Sequence, residues 1–360
     1  MPEPALVHFT GPIAASDVAN WCANEIGLEH ITLVDDEVGW AAELGSLPAD
    51  VAAELEPPTW QWVVYPWRRT VVRVPDADTF FAIVTSRNYP VITRAEQALM
   101  RRSTVLVAGL STGRAVAQQL ARLGVGHFVL ADADEIATSN LNRLIGAGVC
   151  DLGLPKVTST ARELLELNPY TKITEVPNYL NRDNTSDLIA SNNVDVVVEM
   201  IDSIDAKAGI RQAAHAHGIG VVMATDMDWD PFVDIELPDR PLFNGRLTEE
   251  DLAALADPAT TFVQKTQMAM RFMALTKWAD RSALSGQLAK AGLVRFWSQT
   301  APSAATAGSL ATRAVFDLLR GATDLPVRVE VSLRDGFGTT DPVDESEPLV
   351  MALNNAEDTQ

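Results

Sequence analysis

The sequence contains little cysteine and no long apolar run. Cys22 and Cys150 are the only cysteines among its 360 residues, and no CxxC pair is present. Two such cysteines do not make a disulfide framework, and without a CxxC pair we expect no zinc. No apolar run approaches the roughly 20 residues that span a bilayer. The first residues also lack the basic and apolar stretches of a signal peptide. We therefore expect a cytoplasmic protein.

Basic residues are scarce relative to acidic ones. The 28 Lys and Arg residues stand against 48 Asp and Glu residues, which gives a formal net charge of −20. Phosphate backbones and anionic membranes gain affinity from Lys and Arg. The densest basic stretches, around Arg68 and Arg101, are short. We therefore expect neither a nucleic acid nor a membrane as a partner. The 47% hydrophobic content indicates a folded chain with a buried core.

The middle of the chain, residues 85–240, alternates apolar strands with helices. The strands are predicted at residues 104–109, 127–132, 172–177, 194–200 and 219–225. Strands that are apolar along their whole length and separated by helices indicate a parallel sheet covered on both faces. The pattern therefore predicts an α/β fold with a doubly wound, mainly parallel sheet of the Rossmann-like type.

The flanking regions follow other patterns. Residues 1–84 are predicted to form an N-terminal α+β extension, with strands in "ITLVDD" and "WQWVVYPWRRTVVRV". Residues 241–338 are predicted to be a helical substrate or dimer region with a late strand. Their methionine stripe is typical of core or interface packing. Residues 339–360 are acidic, and we expect them to be a disordered tail.

A glycine turn joins the first predicted strand of this middle region to its helix, in "VLVAGLSTGRAVAQQL". Such a turn lets phosphates approach the backbone at a helix N-terminus, where free N–H groups favour anions. Gly109 and Gly113 are present, but Ser111 replaces the middle glycine of GxGxxG and the turn is one residue short; Ser111 and Thr112 can still donate hydrogen bonds. Asp132 follows 19 residues after Gly113, where an acid can bind ribose hydroxyls.

The loop after Asp132 has an ordered set of polar residues, in "DADEIATSNLNRLIGAGVCDLGLPK". If Asp132 holds a ribose, this loop crosses the carboxyl end of the sheet, where open α/β folds bind ligands. Asn140, Arg143 and Lys156 could then reach a triphosphate. The alternative is an ordinary capped loop in which Lys156 is a solvated base. Spacing alone leaves both interpretations open.

Asp202 lies just past the fourth strand, on the same expected rim. An aspartate near a polyphosphate most plausibly positions Mg²⁺, which binds through one or two carboxylates and phosphate oxygens. Asp205 is one turn further along and could cap the next helix. Arg114, in the first turn of its helix, could face an anion or be solvated.

Several other residues invite a chemical interpretation. Cys150 lies in the loop near the expected site, although a buried, inert thiol is the more frequent case. Asp226, Asp228 and Asp230 look like a metal loop, but the EF-hand glycine and glutamate are missing. We interpret residues 224–236 as a solvated crossover with some substrate role. Two histidines, His215 and His217, are expected at the surface.

Taken together, residues 104–224 resemble the ThiF/MoeB superfamily of adenylating enzymes, which includes ubiquitin-activating enzymes. The shared elements are the glycine turn, a D-x-D strand end, "SNLNR", G-x-PK and an aspartate after the fourth strand. They stand here as Gly109, Gly113, Asp132, Asp134, Asn140, Arg143, Lys156 and Asp202. The resemblance implies a Rossmann-like ThiF fold and ATP-dependent activation of a carboxylate on a small molecule or peptide.

The resemblance also implies roles for individual residues. Asp132 would bind ribose, and Asn140, Arg143 and Lys156 would hold the phosphates. Asp202 would hold Mg²⁺. Relatives form dimers in which an arginine ahead of the first strand reaches the partner subunit, and Arg87 is the candidate here. The implied cofactors are therefore ATP and Mg²⁺, in a homodimer.

Finer details are similar to a MoeY-like branch that is often fused to a nitroreductase-like domain, as "VAGLSTG" and "TSRNYPVIT" indicate. Such a domain could act as a separate partner. No cysteine follows the fifth strand, so capture of the acyl-adenylate by an amine or thiol is favoured over a thioester relay. One alternative is a degenerate member that binds a nucleotide or partner without catalysis. Another is an NAD-dependent oxidoreductase, which would leave Arg143, Lys156 and Asp202 unused.

Overall fold

The computed structural model describes residues 7–11, 13–226, 229–257, 259–273 and 298–333. The methionine at 270 and the tail at 339–360, for which we predicted core packing and disorder, lie outside the described side chains or residues. In the described part, no helix is long and apolar enough to cross a bilayer.

The first part of the chain forms a four-stranded sheet with helices beside it. The strand order is β1-β3-β4-β2, in which β2 pairs parallel to β4 and the other pairs are antiparallel. The elements are β1 (Val7–Thr10), α1 (Ala15–Glu25), β2 (Thr32–Asp35), α2 (Glu37–Gly45), α3 (Ala49–Ala52), β3 (Trp60–Tyr65) and β4 (Thr70–Pro75).

Two helices lead from this sheet into the larger one, α4 (Ala77–Thr85) and α5 (Arg94–Arg102). The Thr93 side chain caps α5, and the Glu96 side chain accepts a hydrogen bond from the Thr93 amide. This capping box satisfies two amide groups that would otherwise have no partner at the helix start. The Thr93–Glu96 cap predicted from sequence spacing is confirmed.

The larger sheet has seven strands in the order β11-β10-β9-β8-β5-β6-β7. The five central and flanking strands β5 to β9 are parallel, whereas β10 is antiparallel to both of its neighbours. The strands are β5 (Thr104–Ala108), β6 (His127–Ala131), β7 (Lys172–Val176), β8 (Val196–Glu199), β9 (Gly220–Thr225), β10 (Phe232–Glu236) and β11 (Arg328–Glu330). The prediction of a mixed α/β fold with a large, mainly parallel sheet is confirmed.

Helices cover both faces of this sheet, and successive residues of each strand serve opposite faces. Val105 and Val107 pack with one group of helices, and Leu106 and Ala108 pack with the other. The first group is α6 (Thr112–Arg122), α7 (Lys156–Leu167) and α12 (Ala301–Leu319); the second is α8 (Arg182–Asn192) and α9 (Ile204–Ala216). The carboxyl ends of β5, β6, β8 and β9 therefore meet at one edge, which we call the rim.

The C-terminal part packs closely on the sheet. Helix α12 lies against α6, and a Cβ added at Gly308 would be 2.8 Å from the Ala115 Cβ. Small residues thus allow the two helices to approach. Two further helices, α10 (Glu249–Ala256) and α11 (Phe262–Met273), pack beside α9 through Met268, which is buried as its place in the apolar stripe predicts.

The prediction of a solvated crossover at residues 224–236 is wrong for part of that stretch. Residues Phe232–Glu236 form β10, and all five are buried. The strand pairs with β9 on one side and β11 on the other, so it is an interior strand of the sheet. Two acids of this strand, Asp234 and Glu236, are buried against arginines and not solvated.

Candidate functional site

The glycine turn after β5 requires glycine at two positions. Gly109 has a φ of +89°, and a Cβ there would lie 2.5 Å from the backbone oxygen of Met200. A Cβ added to Gly113 would lie 2.9 Å from a Val107 methyl. The turn is therefore pressed against β5 and the segment after β8. It ends at the N-terminus of α6, where Ser111 is the N-cap residue but makes no capping bond with its side chain.

Asp132 ties the loop after β6 to this turn. Its Oδ2 accepts a hydrogen bond from the Leu110 amide at 2.7 Å, and its Oδ1 accepts one from the Asp134 amide at 2.9 Å. The Asp132 side chain is only 8% exposed. The carboxylate is thus held at the rim, beside the two residues that open the glycine turn.

Lys156, the first residue of α7, completes this group. Its Nζ lies 2.8 Å from Asp134 Oδ2 and 3.6 Å from Asp132 Oδ2. The residue is 7% exposed. The alternative interpretation of Lys156 as a solvated base is therefore wrong, because a buried ammonium group requires the charge partners that the two aspartates provide.

The loop between Asp134 and Lys156 is held by its own polar side chains. Asn140 Oδ1 accepts a hydrogen bond from the Ala137 amide at 3.0 Å. Arg143 donates to the Ser139 carbonyl at 3.2 Å and to Asn142 Oδ1 at 2.9 Å. The Arg143 Nε is buried without a hydrogen-bond partner in the described part of the chain. The guanidinium therefore lies at the rim with donor capacity left over.

Asp202 lies on the rim in the segment between β8 and α9. It is exposed, and it makes no ion pair with any residue that the structure describes. The following helix is capped by Ser203, not by Asp205, which instead pairs with Lys265 at 2.8 Å. The alternative that Asp205 caps the helix is wrong. The segment that carries Asp202 packs against the glycine turn, since the backbone of Met200, two residues earlier, lies close to Gly109.

A buried ion network supports the segment that carries Asp202. Glu199 accepts hydrogen bonds from the Ile201 amide at 3.1 Å and from Lys207 at 2.7 Å. Arg211, which is fully buried, lies 3.2 Å from Glu199 and 2.7 Å from Glu236. Three elements, β8, α9 and β10, therefore converge behind the rim, and no pattern in the sequence indicated their meeting.

Two aromatic rings and one histidine also contact this network. The Arg211 guanidinium lies 4.8 Å and 5.1 Å from the ring centroids of Phe243 and Phe272. His215 Nε2 is 2.8 Å from Glu236 Oε1, so the expectation that His215 is a surface residue is wrong. Burial by itself raises the pKa of Glu236, but Arg211 and His215 hold that pKa below its ordinary value.

Asp226, directly after β9, is a rim residue that the sequence did not distinguish from its neighbours. It is 5% exposed, so the expectation of a solvated crossover is also wrong here. Its Oδ1 accepts a hydrogen bond from Gln299 at 2.8 Å, and the Thr112 hydroxyl lies against the same carboxyl. Burial raises the pKa of Asp226, although Gln299, Thr112 and the nearby Arg143 charge oppose that rise.

Arg87 does not join the rim of its own chain. It is exposed in the short turn Ser86–Asn88, and Asn88 donates to Gln97 at 2.9 Å. Gln97 in turn donates to the Leu123 carbonyl, just before β6 begins. Arg87 therefore lies at the amino end of the sheet, opposite the rim.

A cavity of about 620 Å³ lies beside this turn and not at the rim. It is lined by residues of α2 to α5, and its walls are mainly apolar. They include Leu47, Val51, Leu55, Phe81, Ile92 and Arg101.

Two further expectations can be compared with the structure. Arg114 is neither solvated nor facing an open anion site, because it is 2% exposed and pairs with Glu163 at 2.7 Å. Ser159 accepts another of its hydrogen bonds at 3.0 Å. Cys150 is exposed, unlike the buried thiol that is the more frequent case. Within the described ranges, no three His, Cys, Asp or Glu side chains cluster to hold a metal by themselves.

The fold and the rim together define a doubly wound protein in which a glycine turn, an acid and a cation lie close together. The family comparison gives the class. A model described as "ThiF family" matches residues 85–322, which is more than half of the sequence. The chain therefore belongs to the ThiF family, and the resemblance to the ThiF/MoeB superfamily is confirmed at that level.

Individual relatives cover shorter stretches. "Uncharacterized protein MT1398" of Mycobacterium tuberculosis (strain CDC 1551 / Oshkosh) is 40% identical over 205 residues, which are 56% of this chain and 28% of that protein. "Adenylyltransferase and sulfurtransferase MOCS3" of Drosophila virilis is 36% identical over 109 residues, 30% of this chain and 24% of that protein. The chain thus spans about a quarter of the length of these curated relatives.

A solved structure shares part of the architecture. The crystal structure of Escherichia coli tRNA N6-threonylcarbamoyladenosine dehydratase, TcdA, in complex with AMP aligns with a TM-score of 0.47 and 21% identity. The alignment covers 66% of this chain and 93% of that one.

Proposed function

We propose that this chain is an ATP-dependent adenylyltransferase that activates a carboxylate. One observation carries the proposal: Asp132 bonds the Leu110 amide of the glycine turn and also lies 3.6 Å from Lys156 Nζ. A ribose-binding acid, a phosphate-binding turn and a cation are thereby joined at one rim. A nicotinamide cofactor would use the turn and Asp132 but would leave Lys156 without a role.

Each of the rim residues would bind a different part of the nucleotide. Asp132 would accept hydrogen bonds from the ribose hydroxyls. The N–H groups of the turn, with the hydroxyls of Ser111 and Thr112, would face the phosphates at the start of α6. Lys156 would exchange its contact with Asp134 for a phosphate oxygen, and the unused Nε of Arg143 supports a similar role for that residue.

The chemistry would be electrostatic. An oxygen of the substrate carboxylate attacks the α-phosphorus of ATP, and a bond forms between them. The bond from the α-phosphorus to its bridging oxygen breaks, and the electron pair leaves with pyrophosphate. Arg143 and Lys156 would offset the negative charge that grows on this leaving group. The acyl-adenylate would then be captured by an amine or a thiol, since neither cysteine of the chain follows β9.

Asp202 fits a magnesium ion. It is exposed and unpaired among the described residues, and the segment that carries it packs against the glycine turn. One carboxylate is sufficient for Mg²⁺ when phosphate oxygens supply further ligands. A bound Mg²⁺ would neutralise charge on the triphosphate and the leaving pyrophosphate.

A homodimer would give Arg87 a site to act on. Arg87 is far from its own rim, but exposed apolar residues adjoin it. Val84, Tyr89 and Val91 are 44%, 58% and 88% exposed. Contiguous exposed apolar side chains often mark an interface. We propose that a second copy covers them and receives Arg87 at its rim.

The substrate would be a small molecule or a peptide with a free carboxylate, in a biosynthetic pathway. Residues 1–84 and 241–338 would supply contacts to that substrate or to the second copy. We further propose that the chain belongs to the MoeY-like branch and acts in the cytoplasm, with a nitroreductase-like protein as a separate partner. The acidic composition argues against tRNA as a substrate.

Titration calorimetry of ATP with Mg²⁺, compared with NAD⁺, tests this proposal. ATP should bind and NAD⁺ should not, and Lys156→Ala and Asp202→Ala should each weaken ATP binding by about tenfold or more. Lys172→Ala and Asp187→Ala are matched controls, because both residues are exposed and distant from the rim. Absence of ATP binding by the folded chain would refute the proposal. Binding of ATP without pyrophosphate exchange across a panel of carboxylates would favour a degenerate member.

A further inference from the structure

Asp226 is the centre of a hydrogen-bonded chain that crosses the rim. Arg143 donates to Asn142 Oδ1 at 2.9 Å, and Asn142 Nδ2 donates to the Gln299 carbonyl at 3.0 Å. Gln299 Nε2 then donates to Asp226 Oδ1 at 2.8 Å. The Thr112 hydroxyl of the glycine turn is a further neighbour of this carboxyl. The chain thus connects the two sides of the proposed phosphate site, through residues distant in sequence.

Three unsatisfied polar atoms lie at the same place. Ser111 Oγ, Arg143 Nε and Asp226 Oδ2 are each buried without a hydrogen-bond partner among the described residues. Buried polar groups are normally paired, since an unpaired one loses its contact with water and gains nothing. Three such atoms around one turn and its facing loop indicate a structure that is completed by a ligand.

We propose that Asp226 is a positioning residue of the nucleotide site, which holds Thr112 and Arg143 against the phosphates. The inference rests on the proposed function, because it presumes that phosphates occupy the glycine turn. Asp226 acts through Thr112 directly and through Gln299 and Asn142 on Arg143.

Two considerations favour the neutral form of the Asp226 carboxyl. An ionised carboxylate buried beside the glycine turn would repel the triphosphate, whereas a protonated one can donate from Oδ2 and still accept from Gln299 at Oδ1. Burial also raises the pKa of Asp226. Arg143 is the charged group that acts on this carboxyl, and it opposes that rise without reversing it.

Gln299 gives the C-terminal part a role in the site. It immediately precedes Thr300, whose hydroxyl caps α12 by accepting a hydrogen bond from the Ser303 amide. Because α12 packs along α6, the Gln299 contact joins the start of one helix to the turn that opens the other. The rim therefore includes a contact from the start of α12 as well as the residues that follow the strands of the parallel sheet.

The test compares ATP with adenosine as ligands of the intact chain in calorimetry. Asp226→Ala should weaken ATP binding about tenfold and leave adenosine binding unchanged, because adenosine has no phosphates to hold. Asp226→Asn keeps the shape and both hydrogen-bonding functions, and it should bind ATP within about threefold of the native chain. Gln299→Ala, a partly exposed residue, should reproduce the ATP-selective loss if the Asp226→Ala chain does not fold.

Each contrary result has a distinct meaning. Equal loss of ATP and adenosine in Asp226→Ala would show a general structural role and overturn the inference. Native ATP affinity in Asp226→Ala and Gln299→Ala would overturn it as well, as would an Asp226→Asn chain as weak as Asp226→Ala. If the native chain binds no ATP, the proposed function itself fails, which the native titration reveals before any variant is made.

Discussion

Two groups of buried charge lie on either side of the segment after β8, and they differ in how well they are paired. Behind the segment, Glu199 and Glu236 meet Arg211, Lys207 and His215, and each charged group has at least one ion-pair partner. The acids and bases of this network neutralise one another. Arg211 Nε, His215 Nε2 and Glu236 Oε1 lack a hydrogen-bond partner among the described residues, but each of these three residues lies beside a group of opposite charge or a possible proton donor of the network.

The charged groups of the rim, in front of the segment, are less completely paired than those of the network. Lys156 is paired with Asp132 and Asp134, yet Arg143 retains an unused donor and Asp226 an unused oxygen. Asp202 has no ion-pair partner in the described part of the chain. The comparison teaches that burial of charge alone does not mark a site. A charged residue that has no ion-pair partner among the described residues, as is true of Arg143, Asp226 and Asp202, is the more informative feature.

The largest expected effect concerns the paired network. Arg211→Ala should lower the free energy of unfolding by about 3–5 kcal/mol, because it leaves Glu199 and Glu236 as uncompensated buried charges. Urea denaturation measures the change. Arg313→Ala is the matched control: its pair with Asp317 is exposed and should be worth less than about 1 kcal/mol. Equal effects in the two variants would remove the distinction between this network and a surface ion pair.

The next effect concerns the turn that separates the two groups. Gly109→Ala and Gly153→Ala both place a side chain at positive φ, +89° and +80°. Each should cost about 1–2 kcal/mol for that conformation. Only Gly109 also meets backbone, at 2.5 Å from the Met200 oxygen, whereas nothing lies within 4 Å of a Cβ at Gly153.

The Gly109→Ala chain should therefore unfold at lower urea than the Gly153→Ala chain. It should also lose ATP binding more completely, since the turn and the Asp202 segment must separate to admit the methyl group. Equal urea midpoints would show that the turn can yield, and would weaken the claim that the rim is rigid.

A third prediction uses pH to separate the two groups. The pKa of Asp226 is raised by burial, so the stability that its neutral form contributes is fully present below its ordinary pKa of 3.8 and is lost as pH rises through the raised value. Asp226→Asn cannot ionise. The difference in urea midpoint, variant minus native chain, should therefore grow as pH rises from 3.8 and then level off.

Glu236 should show the opposite sign. Its pKa is lowered in the folded chain, so its contribution is present above its ordinary value of 4.5 and is lost as pH falls through the lowered one. The stability difference between the native chain and Glu236→Gln should therefore shrink in acid. A pH-independent difference for Asp226→Asn would mean that Asp226 has the same pKa in the folded and unfolded chains, contrary to the effect expected from its burial.

The sequence predicted what depends on neighbours along the chain. Apolar strands between helices indicated the parallel sheet, and the spacing of Thr93 and Glu96 indicated a cap that the structure contains. The grouping of polar residues at the rim also follows from local pattern, because the carboxyl ends of parallel strands meet at one edge of the sheet. Asp132 and Lys156 were therefore expected together, and they lie 3.6 Å apart.

What depends on distant contacts was not predictable. Asp226 is buried because Gln299, 73 residues away, lies on it. Glu236 and Asp234 looked solvated because acids usually are, but antiparallel pairing of β10 with β9 places them inside the sheet. No pattern within a single strand or helix indicates that Arg211 will meet Glu236, or that Arg328 will meet Asp234. The buried network and the unsatisfied rim atoms are both products of tertiary packing.

Asp202→Asn should have the smallest effect on stability, and the same variant tests the role of the rim. Since the side chain is exposed and makes no ion pair with described residues, the free energy of unfolding should change by less than about 0.5 kcal/mol. Asp187→Asn, on the exposed face of α8, should behave alike in urea. Only Asp202→Asn should reduce the dependence of ATP binding on Mg²⁺, measured by titrating ATP with and without the metal. A loss of stability without a change in magnesium dependence would assign Asp202 to the supporting network behind it.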